Sequence, residues 1–315
     1  MTTSIKNQPK TQAIRTNRDW TFGGTWPYKP RWFNSGDGRM HYIDEGPRDG
    51  RPIVMVHGNP TWGYLYRRFI EAVTRQGYRA IVFDHLGFGR SDKPDDPKLY
   101  RISRHGDRCE ALLESLELQD ATILVQDWGG PIGLSWAARH PERVRSLAVL
   151  NTFVHRPPGK VAMPLPLRLF RTPIIGEVMV KGLHAFVKIF LFKGGLVYPK
   201  RLGAREKAAY LAPHPTWASR TSILMFPREI PSGPRGRVSD FVADVHDQLM
   251  AGLSHKPVFI AWPMKDIAFG PEILDNLWLQ DFPNAEVLPI EDAGHYIQED
   301  AHEKVIPRLL KFLEN

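Results

Sequence analysis

The sequence predicts an α/β fold in which a mostly parallel central sheet carries an inserted helical cap. Short apolar, β-branched runs alternate with helical patterns through most of the 315 residues, which is typical of strands joined by crossover helices. Most of the strong strands end in a turn that contains Gly or Asp. Between residues 153 and 254 the alternation stops, prolines become frequent and helical stretches follow one another, which indicates an insertion.

An antiparallel hairpin is predicted first, because Arg31–Asn34 and Met40–Asp44 flank the turn sequence Ser-Gly-Asp-Gly. The central sheet continues with the strands Pro52–His57, Arg79–Phe83, Ala121–Val125, Arg145–Leu150, Pro257–Ala261 and Ala285–Pro289. Ligands of open α/β sheets bind outside the carboxyl ends of the strands. The turns after these strands are therefore the places where chemistry is expected.

The chain divides into a core domain, residues 19–152 and 255–315, and a helical cap, residues 153–254, which we call the cap segment. A chain of 315 residues is long enough for one large α/β domain with such an insertion. Residues 1–18 are polar and are expected to form a flexible arm.

One helix is predicted over residues 174–192 of the cap segment. Its polar residues Glu177, Lys181, His184 and Lys188 fall on one stripe, and the order of Glu177 and Lys181 favours an ion pair. Charges at the centre of a membrane-spanning helix cost roughly 2.5 to 3.5 kcal/mol each. We therefore expect this helix to pack over an apolar active site rather than to span or lie in a membrane.

Composition excludes several classes of protein. Apolar residues make up 42% of the chain and charged residues 24%, as in a globular rather than a disordered protein. Cys109 is the single cysteine, which excludes an internal disulfide framework and a multi-thiolate metal site. The first ten residues lack the apolar run of a signal peptide, so a cytoplasmic location is expected.

Positive charge is concentrated in one stretch. From Arg156 to Arg205 there are ten Lys or Arg and one acid, Glu177, a surplus of nine in a chain of net +8. A solvated basic face is one explanation, and contact with an anionic membrane surface or an acidic protein is another. No nucleic-acid-binding motif accompanies the stretch, so nucleic acid is not an expected partner.

Three residues at predicted strand ends occur along the chain in the order expected of a catalytic triad. Asp127 follows a buried strand and precedes a helix that begins near Gly129-Gly130, where a strand-to-helix turn would present a nucleophile. Asp266 and His295 follow the last two strong strands. Nucleophile, acid and histidine in this order are typical of an α/β-hydrolase. The alternative for Asp127 alone is that it caps the helix.

A second set of polar groups is expected beside Asp127. Asn59 lies in the turn His57-Gly-Asn-Pro60 after a predicted strand, and Trp128 follows Asp127. Their backbone N–H groups are candidates for an oxyanion hole, and their side-chain N–H groups are candidate donors to a leaving anion. Turn geometry is the competing role for Asn59, and core packing is the competing role for Trp128.

The sequence resembles haloalkane dehalogenases of the α/β-hydrolase superfamily in five stretches: His57-Gly-Asn-Pro60, Asp84-His-Leu-Gly-Phe-Gly-Arg-Ser-Asp-Lys-Pro94, Gln126-Asp-Trp-Gly-Gly-Pro131, Met264-Lys-Asp266 and Ala293-Gly-His295. The resemblance covers roughly residues 30 to 313. It implies an α/β-hydrolase fold with Asp127 as nucleophile, His295 as base and Asp266 as the acid that orients the base. It also implies that Asn59 and Trp128 bind the halide.

Some members of that family take the acid from the turn after the preceding strand. Asn151 occupies that place here, so Asp266 is the candidate acid.

The choice of aspartate points to an alkyl carbon as the electrophile. A carboxylate is already anionic at neutral pH, whereas serine must first lose a proton. Attack on an acyl carbon would give an anhydride, but attack on an sp³ carbon gives an ester. In the dehalogenase reaction Asp127 displaces halide, and His295 activates the water that hydrolyses the ester. The expected partners are a small apolar substrate, water and a halide ion, with no metal or organic cofactor.

Dehalogenation is the leading interpretation, and two related reactions are alternatives. Epoxide hydrolases also use an aspartate nucleophile and add cap tyrosines, for which Tyr198 and Tyr210 are the candidates. β-Lactone decarboxylases of long-chain olefin synthesis are similar to this sequence in three cap stretches: Arg171–Gly176, Gly182–Phe186 and Ala209–Pro213 followed by Trp217. A purely binding role is a further alternative, because fold alone does not fix function.

Overall fold

A computed structural model describes residues 18–315, in which the strands form one eight-stranded sheet. The strands are β1 Arg31–Asn34, β2 Arg39–Glu45, β3 Pro52–Val56, β4 Arg79–Phe83, β5 Ala121–Asp127, β6 Val144–Thr152, β7 Val258–Pro263 and β8 Glu286–Ile290. Their order across the sheet is β1-β2-β4-β3-β5-β6-β7-β8. The pairs β1–β2 and β2–β4 are antiparallel, and all later pairs are parallel.

Helices and short helical turns connect the strands. The α-helices are α1 Arg67–Arg75, α2 Ile102–Ser115, α3 Gly129–Arg139, α4 Leu165–Arg171, α5 Ala204–Leu211, α6 Thr221–Glu229, α7 Arg237–Leu253, α8 Pro271–Ile273, α9 Leu279–Asp281, α10 Ile297–Asp300 and α11 His302–Glu314. Three segments are π-helical: Glu177–Gly182, Val187–Gly194 and Leu274–Trp278. Turns of 3₁₀ helix cover Gly63–Tyr66, Pro97–Tyr100, Pro141–Arg143, Pro199–Arg201 and Ala218–Arg220.

The predicted hairpin and all six predicted central strands are present, with ends that differ by at most two residues. The parallel strands β3 and β5 are buried along their whole length, which is why they read as continuous apolar runs. The prediction stopped strand β5 at Val125, whereas the strand continues to Asp127. The candidate nucleophile is therefore the last residue of a central strand.

The cap segment between β6 and β7 contains helices and turns but no strand within the part of the chain that the structure describes. Its helix α5 is tied to the core through a buried carboxylate. Glu299 accepts hydrogen bonds from Arg67 at 2.5 and 2.7 Å and from the Tyr210 hydroxyl at 2.5 Å. Tyr210 belongs to α5, whereas Arg67 and Glu299 belong to the core.

The single helix predicted over residues 174–192 is wrong. Two π-helical segments occupy this stretch, and the chain turns between them at His184, where φ is +57°. The predicted polar stripe is also wrong, because Lys181 and His184 are buried. Glu177 pairs with Arg228 at 2.7 Å instead of with Lys181. An almost wholly apolar stretch can bury more than one face, so its few polar residues did not mark the solvent side.

The expectation that this stretch packs over an apolar site, rather than across a membrane, agrees with the structure. Phe186 and Phe190 line a cavity above the sheet. Within residues 18–315 no helix is both long and apolar enough to cross a membrane. The predicted N-terminal arm lies outside the described residues except for Arg18, whose guanidinium donates to the Ala212 carbonyl at 2.7 Å.

Candidate active site

Asp127 sits at a sharp turn between β5 and α3. Its φ is +52°, a left-handed conformation that non-glycine residues rarely adopt and that is often found at functional sites. The Thr152 hydroxyl holds the turn by donating to the Asp127 carbonyl. Two glycines leave room for it: a Cβ at Gly58 would lie 2.0 Å from Asp127 Oδ1, and a Cβ at Gly130 would lie 2.0 Å from Thr152 Oγ1. Larger residues at either position would displace the turn.

His295 and Asp266 meet beside Asp127, as the sequence predicted. His295 follows β8 and Asp266 follows β7, so both lie at the carboxyl edge of the sheet. His295 Nδ1 is 3.0 Å from Asp266 Oδ2, and its Nε2 is 3.6 Å from Asp127 Oδ2. The imidazole therefore bridges the two carboxylates, one on each ring nitrogen.

Two amide side chains fix this arrangement, and neither was among the site residues predicted from the sequence. Asn151 Nδ2 donates to Asp266 Oδ2 at 2.7 Å and to the His295 carbonyl at 2.8 Å. Gln126 Nε2 donates to the same carbonyl at 3.1 Å. Both residues lie at the carboxyl ends of strands, β5 for Gln126, which directly precedes Asp127, and β6 for Asn151. That position places both residues at the edge of the sheet that carries the site, but it does not reveal which groups their amides contact.

The charge on His295 is set by its neighbours. Burial disfavours the imidazolium, but the carboxylates of Asp266 and Asp127 outweigh burial and raise the pKa of His295 to about 10. At neutral pH the ring is therefore a cation between two anions. It cannot accept a proton from water in that state. Ester formation at Asp127 would neutralise one of the two carboxylates. It would thereby remove part of the electrostatic attraction that keeps the proton on the His295 ring.

Asn59 and Trp128 flank Asp127 at the base of the cavity. The backbone N–H of Asn59 donates to Asp127 Oδ1 at 2.7 Å, which orients the carboxylate. The Asn59 Oδ1 atom is buried without a hydrogen-bond partner in residues 18–315. The Trp128 ring packs edge-on against Phe153 and Phe226, with centroids 5.1 and 5.9 Å away. Trp128 thus packs against its aromatic neighbours and also borders the cavity.

An apolar cavity of about 330 Å³ opens over these groups. Its base is formed by Asn59, Asp127, Trp128 and His295. Its walls are mostly apolar and come from both the core and the cap segment: Phe153, Leu167, Phe186, Phe190, Phe269, Leu277 and Tyr296. A volume in this range is ordinary for a site that takes a small molecule.

The tyrosines considered for epoxide hydrolysis do not line the cavity. Tyr210 donates to buried Glu299, and the exposed Tyr198 hydroxyl bonds Asp292 at 3.0 Å. Neither hydroxyl is therefore placed to protonate an epoxide bound above Asp127.

A second polar cluster, which was not predicted from the sequence, reaches the cavity wall through His155. Asp281 Oδ2 is 2.6 Å from His155 Nε2 and 2.9 Å from His246 Nε2. The possible metal-ligand atoms of these three side chains all lie within 4.8 Å of one another, a spacing that a metal ion could use. Among residues 18–315 no other group of three His, Cys, Asp or Glu side chains has this spacing. The contacts are of hydrogen-bond length, so Asp281 pairs with one ring nitrogen of each histidine, whereas His155 Nδ1 is buried without a hydrogen-bond partner in residues 18–315. His246 lies on α7 and Asp281 on α9, so the cluster joins the cap segment to the core.

The fold family follows from a match over most of the chain. Residues 51–302 match a family model described as the alpha/beta hydrolase fold. The chain belongs to this family, and the predicted fold class is confirmed.

Curated relatives carry two different names. The cis-3-alkyl-4-alkyloxetan-2-one decarboxylase of Shewanella oneidensis is 39% identical over 289 residues, which are 91% of this chain and 89% of the relative. Haloalkane dehalogenase 2 of Mycobacterium tuberculosis is 32% identical over 286 residues, 91% of this chain and 95% of the relative. The solved structure of haloalkane dehalogenase DbeA from Bradyrhizobium elkani USDA94 superposes with a TM-score of 0.79 at 30% identity, covering 90% of this chain and 96% of that one. The protein is an enzyme of the α/β hydrolase superfamily, similar to both groups.

Proposed function

We propose that this protein forms an ester between Asp127 and an sp³ carbon of its substrate, and that the substrate is a cis-3,4-dialkyl β-lactone. The observation that carries the proposal is the position of the Asp127 carboxylate. It lies at a strained turn, held by a backbone N–H at 2.7 Å and faced by a cationic imidazole at 3.6 Å, at the base of an apolar cavity.

The β-lactone reaction balances without water or a cofactor. A carboxylate oxygen of Asp127 attacks C4 of the four-membered ring, the C4–O bond breaks, and its electron pair stays on the ring oxygen as a carboxylate on C3. The bond from C3 to that carboxylate then breaks, its pair becomes the C3=C4 double bond, and the Asp127 carboxylate leaves C4. Carbon dioxide and an alkene are released, and Asp127 is regenerated.

The cationic state of His295 suits this reaction. In the first step negative charge moves from Asp127 to the new carboxylate, and the imidazolium assists this step to the extent that it stabilises the new carboxylate more than the Asp127 carboxylate. Neither step needs His295 to remove a proton from water. The 39% identity to a decarboxylase, over an alignment that covers 91% of the chain, also favours the lactone.

The geometry at C4 leads to a stereochemical expectation. Attack from the face opposite the ring oxygen inverts C4, and departure of the Asp127 carboxylate anti to the C3 carboxylate inverts the relation again. A cis-lactone should therefore give a cis-alkene. The test is incubation of the purified protein with a cis-3,4-dialkyl β-lactone, with carbon dioxide and alkene measured by gas chromatography. Asp127→Asn should release neither product, and an untouched lactone with folded wild type would refute the proposal.

Hydrolytic dehalogenation is the second candidate, and the pair Asn59 and Trp128 favours it. Both side chains border the cavity beside Asp127, where their N–H groups suit a departing halide. In this reaction water must attack the ester, so His295 has to become a base. Bromide release from a series of 1-bromoalkanes tests it, with Asp127→Asn as control. His295→Phe should then accumulate an alkyl ester, visible as a mass increase, and the absence of any adduct would count against dehalogenation.

A further inference from the structure

The outer surface of the cap segment carries a cluster of exposed apolar side chains. We call it the apolar wedge and define it as Ile174, Ile175, Val178, Leu183 and Trp217. Their exposed fractions are 77%, 44%, 50%, 61% and 47%, and they make up half of the ten exposed large hydrophobic residues in the described part of the chain. Single exposed apolar residues are common on soluble proteins, but a contiguous group marks an interaction site.

Backbone hydrogen bonds hold the wedge in shape. Ile174 has a φ of +66°, a conformation unfavourable for a β-branched residue. It is held there by a tight turn, in which the Ile175 N–H donates to the Pro173 carbonyl and the Gly176 N–H to the Thr172 carbonyl, both at 2.8 Å. The turn directs an isoleucine outward at a position where solvent would favour glycine or asparagine. Strain kept at an exposed position is a reason to look for a function.

Trp217 comes from a later part of the cap segment and packs beside the rest of the wedge. A Cβ at Gly182 would lie 3.4 Å from the Trp217 ring, and Lys181 Nζ lies 5.5 Å from its centroid. The Leu183 N–H donates to the Val178 carbonyl at 2.9 Å. The apolar side chains therefore share one small area rather than being spread over the cap segment.

Cations surround this area. Lys188 Nζ donates to the Leu183 carbonyl at 3.0 Å. The half-buried Arg220 guanidinium donates to the carbonyls of Lys181, Gly182, His214 and Pro215, so it contributes positive charge near the wedge from a fixed position. Arg168 is exposed on α4, which precedes the wedge in the chain. Within residues 18–315 none of these three side chains forms a salt bridge. Lys181 is the exception, since Asp95 lies 3.5 Å from it.

We infer that the apolar wedge and its cations dock on the surface of an anionic phospholipid bilayer. Peripheral proteins bind such surfaces by inserting apolar side chains to the depth of the headgroups while Lys and Arg contact anionic lipids. A second copy of the chain fits less well, because a two-fold interface on the wedge would place the same cations against each other. The basic stretch predicted from the sequence thus has a specific partner.

The cavity wall includes residues from the same stretch of chain that carries part of the wedge. Phe186 and Phe190 line the cavity from the same stretch of chain that carries Leu183 and Lys188 on its outer side. Docking through the wedge would therefore hold part of the cavity wall near a bilayer in which a long-chain apolar substrate is dissolved. This delivery role rests on the proposed function with a long-chain substrate, whereas docking itself does not.

Vesicle flotation tests the docking with the full chain. Wild type should float with vesicles of phosphatidylcholine containing 30% phosphatidylglycerol, and much less with phosphatidylcholine alone or at high salt. Each Lys or Arg near an anionic surface contributes about a fivefold affinity, so Arg168→Gln with Lys188→Gln should weaken binding on the order of tenfold or more. The double variant Ile174→Asn with Val178→Gln, which we call the wedge variant, should weaken vesicle binding at every salt concentration. Asparagine is chosen at position 174 because it tolerates the left-handed backbone.

A matched control removes the same charge elsewhere. Lys29→Gln with Lys311→Gln removes two exposed lysines from the surface of the core domain and should leave flotation unchanged. Equal loss in this control would overturn the proposal, since binding would then depend only on net charge. Absence of flotation at low salt would overturn it as well. So would a wild-type dimer that the wedge variant converts to monomer without lipid, because the wedge would then be a subunit interface.

Two substrates separate docking from function. A β-lactone with short alkyl arms, soluble in water, should be turned over equally by wild type and the wedge variant. A long-chain lactone supplied in anionic vesicles should be turned over more slowly by the variant, in proportion to its lost binding. If wild type decarboxylates neither lactone but still floats, the proposed function fails and docking stands. If it decarboxylates both but does not float, docking fails alone.

Discussion

Replacing Asp127 by Asn should lower the pKa of His295 towards neutrality. The Asp127 and His295 atoms are 3.6 Å apart, and unit charges at that distance attract by roughly 4 to 5 kcal/mol at an effective dielectric constant of about 20. That energy corresponds to a change of about 3 in a pKa. Because the neutral amide still offers an oxygen to the ring, we expect the pKa of His295 to fall by about 2 to 3, from the wild-type value of about 10.

Titration of the histidine rings by nitrogen-15 NMR measures this change directly. The chain has 12 histidines, and the signal that disappears in His295→Gln identifies the ring concerned. Asp292→Asn is the matched control, because this exposed carboxylate is three residues away in the sequence but bonds Tyr198 and Lys304 instead. An unchanged pKa in Asp127→Asn would refute the account of His295 as a cation shared by two carboxylates. A fall would show that neutralising Asp127, as an ester does, prepares His295 to act as a base.

Three further predictions concern stability and activity. The pKa of His295 is raised from 6.5 to about 10, so its contribution to stability is fully present below about pH 6.5. It disappears as the pH rises towards 10, and the free energy of unfolding from urea titrations at pH 7 and 9.5 should fall more in wild type than in Asp127→Asn. Glu299→Gln leaves Arg67 as an unpaired buried cation and should cost about 3 to 5 kcal/mol in the same titrations; Glu303→Gln, at an exposed ion pair, should cost under about 1 kcal/mol, and equal losses would contradict the reasoning. Gly58→Ala places a Cβ 2.0 Å from Asp127 Oδ1 and should abolish turnover in the lactone assay while circular dichroism still shows a folded protein; full activity would mean that this turn tolerates displacement.

The sheet and the positions around Asp127 could be predicted because local sequence determines them. Strands buried on both faces read as short apolar runs whatever surrounds them, and the residue after each run lies at the carboxyl edge of the sheet. Asp127, Asp266 and His295 were therefore expected together before any distance was known. Asn59 and Trp128 followed from their places next to strand ends.

Contacts between distant parts of the chain were harder to predict. Asn151 appeared only as an unsuitable acid, because nothing local reveals that its amide reaches Asp266, 115 residues later. The bridge of His155 and His246 through Asp281 joins three remote segments in the same way. Periodicity failed for residues 174–192, because the turn at His184 depends on which surfaces the folded cap segment must cover.

The cap segment is one uninterrupted insertion, and the five candidate site residues lie outside it. A single exchange of the genetic material for residues 153–254 would therefore replace most of what touches the alkyl parts of a substrate, while the residues proposed to make and break bonds stayed in place. Such an exchange would also carry away the apolar wedge and its cations. Inheritance of this stretch would couple the shape of the cavity wall to the proposed contact with a bilayer.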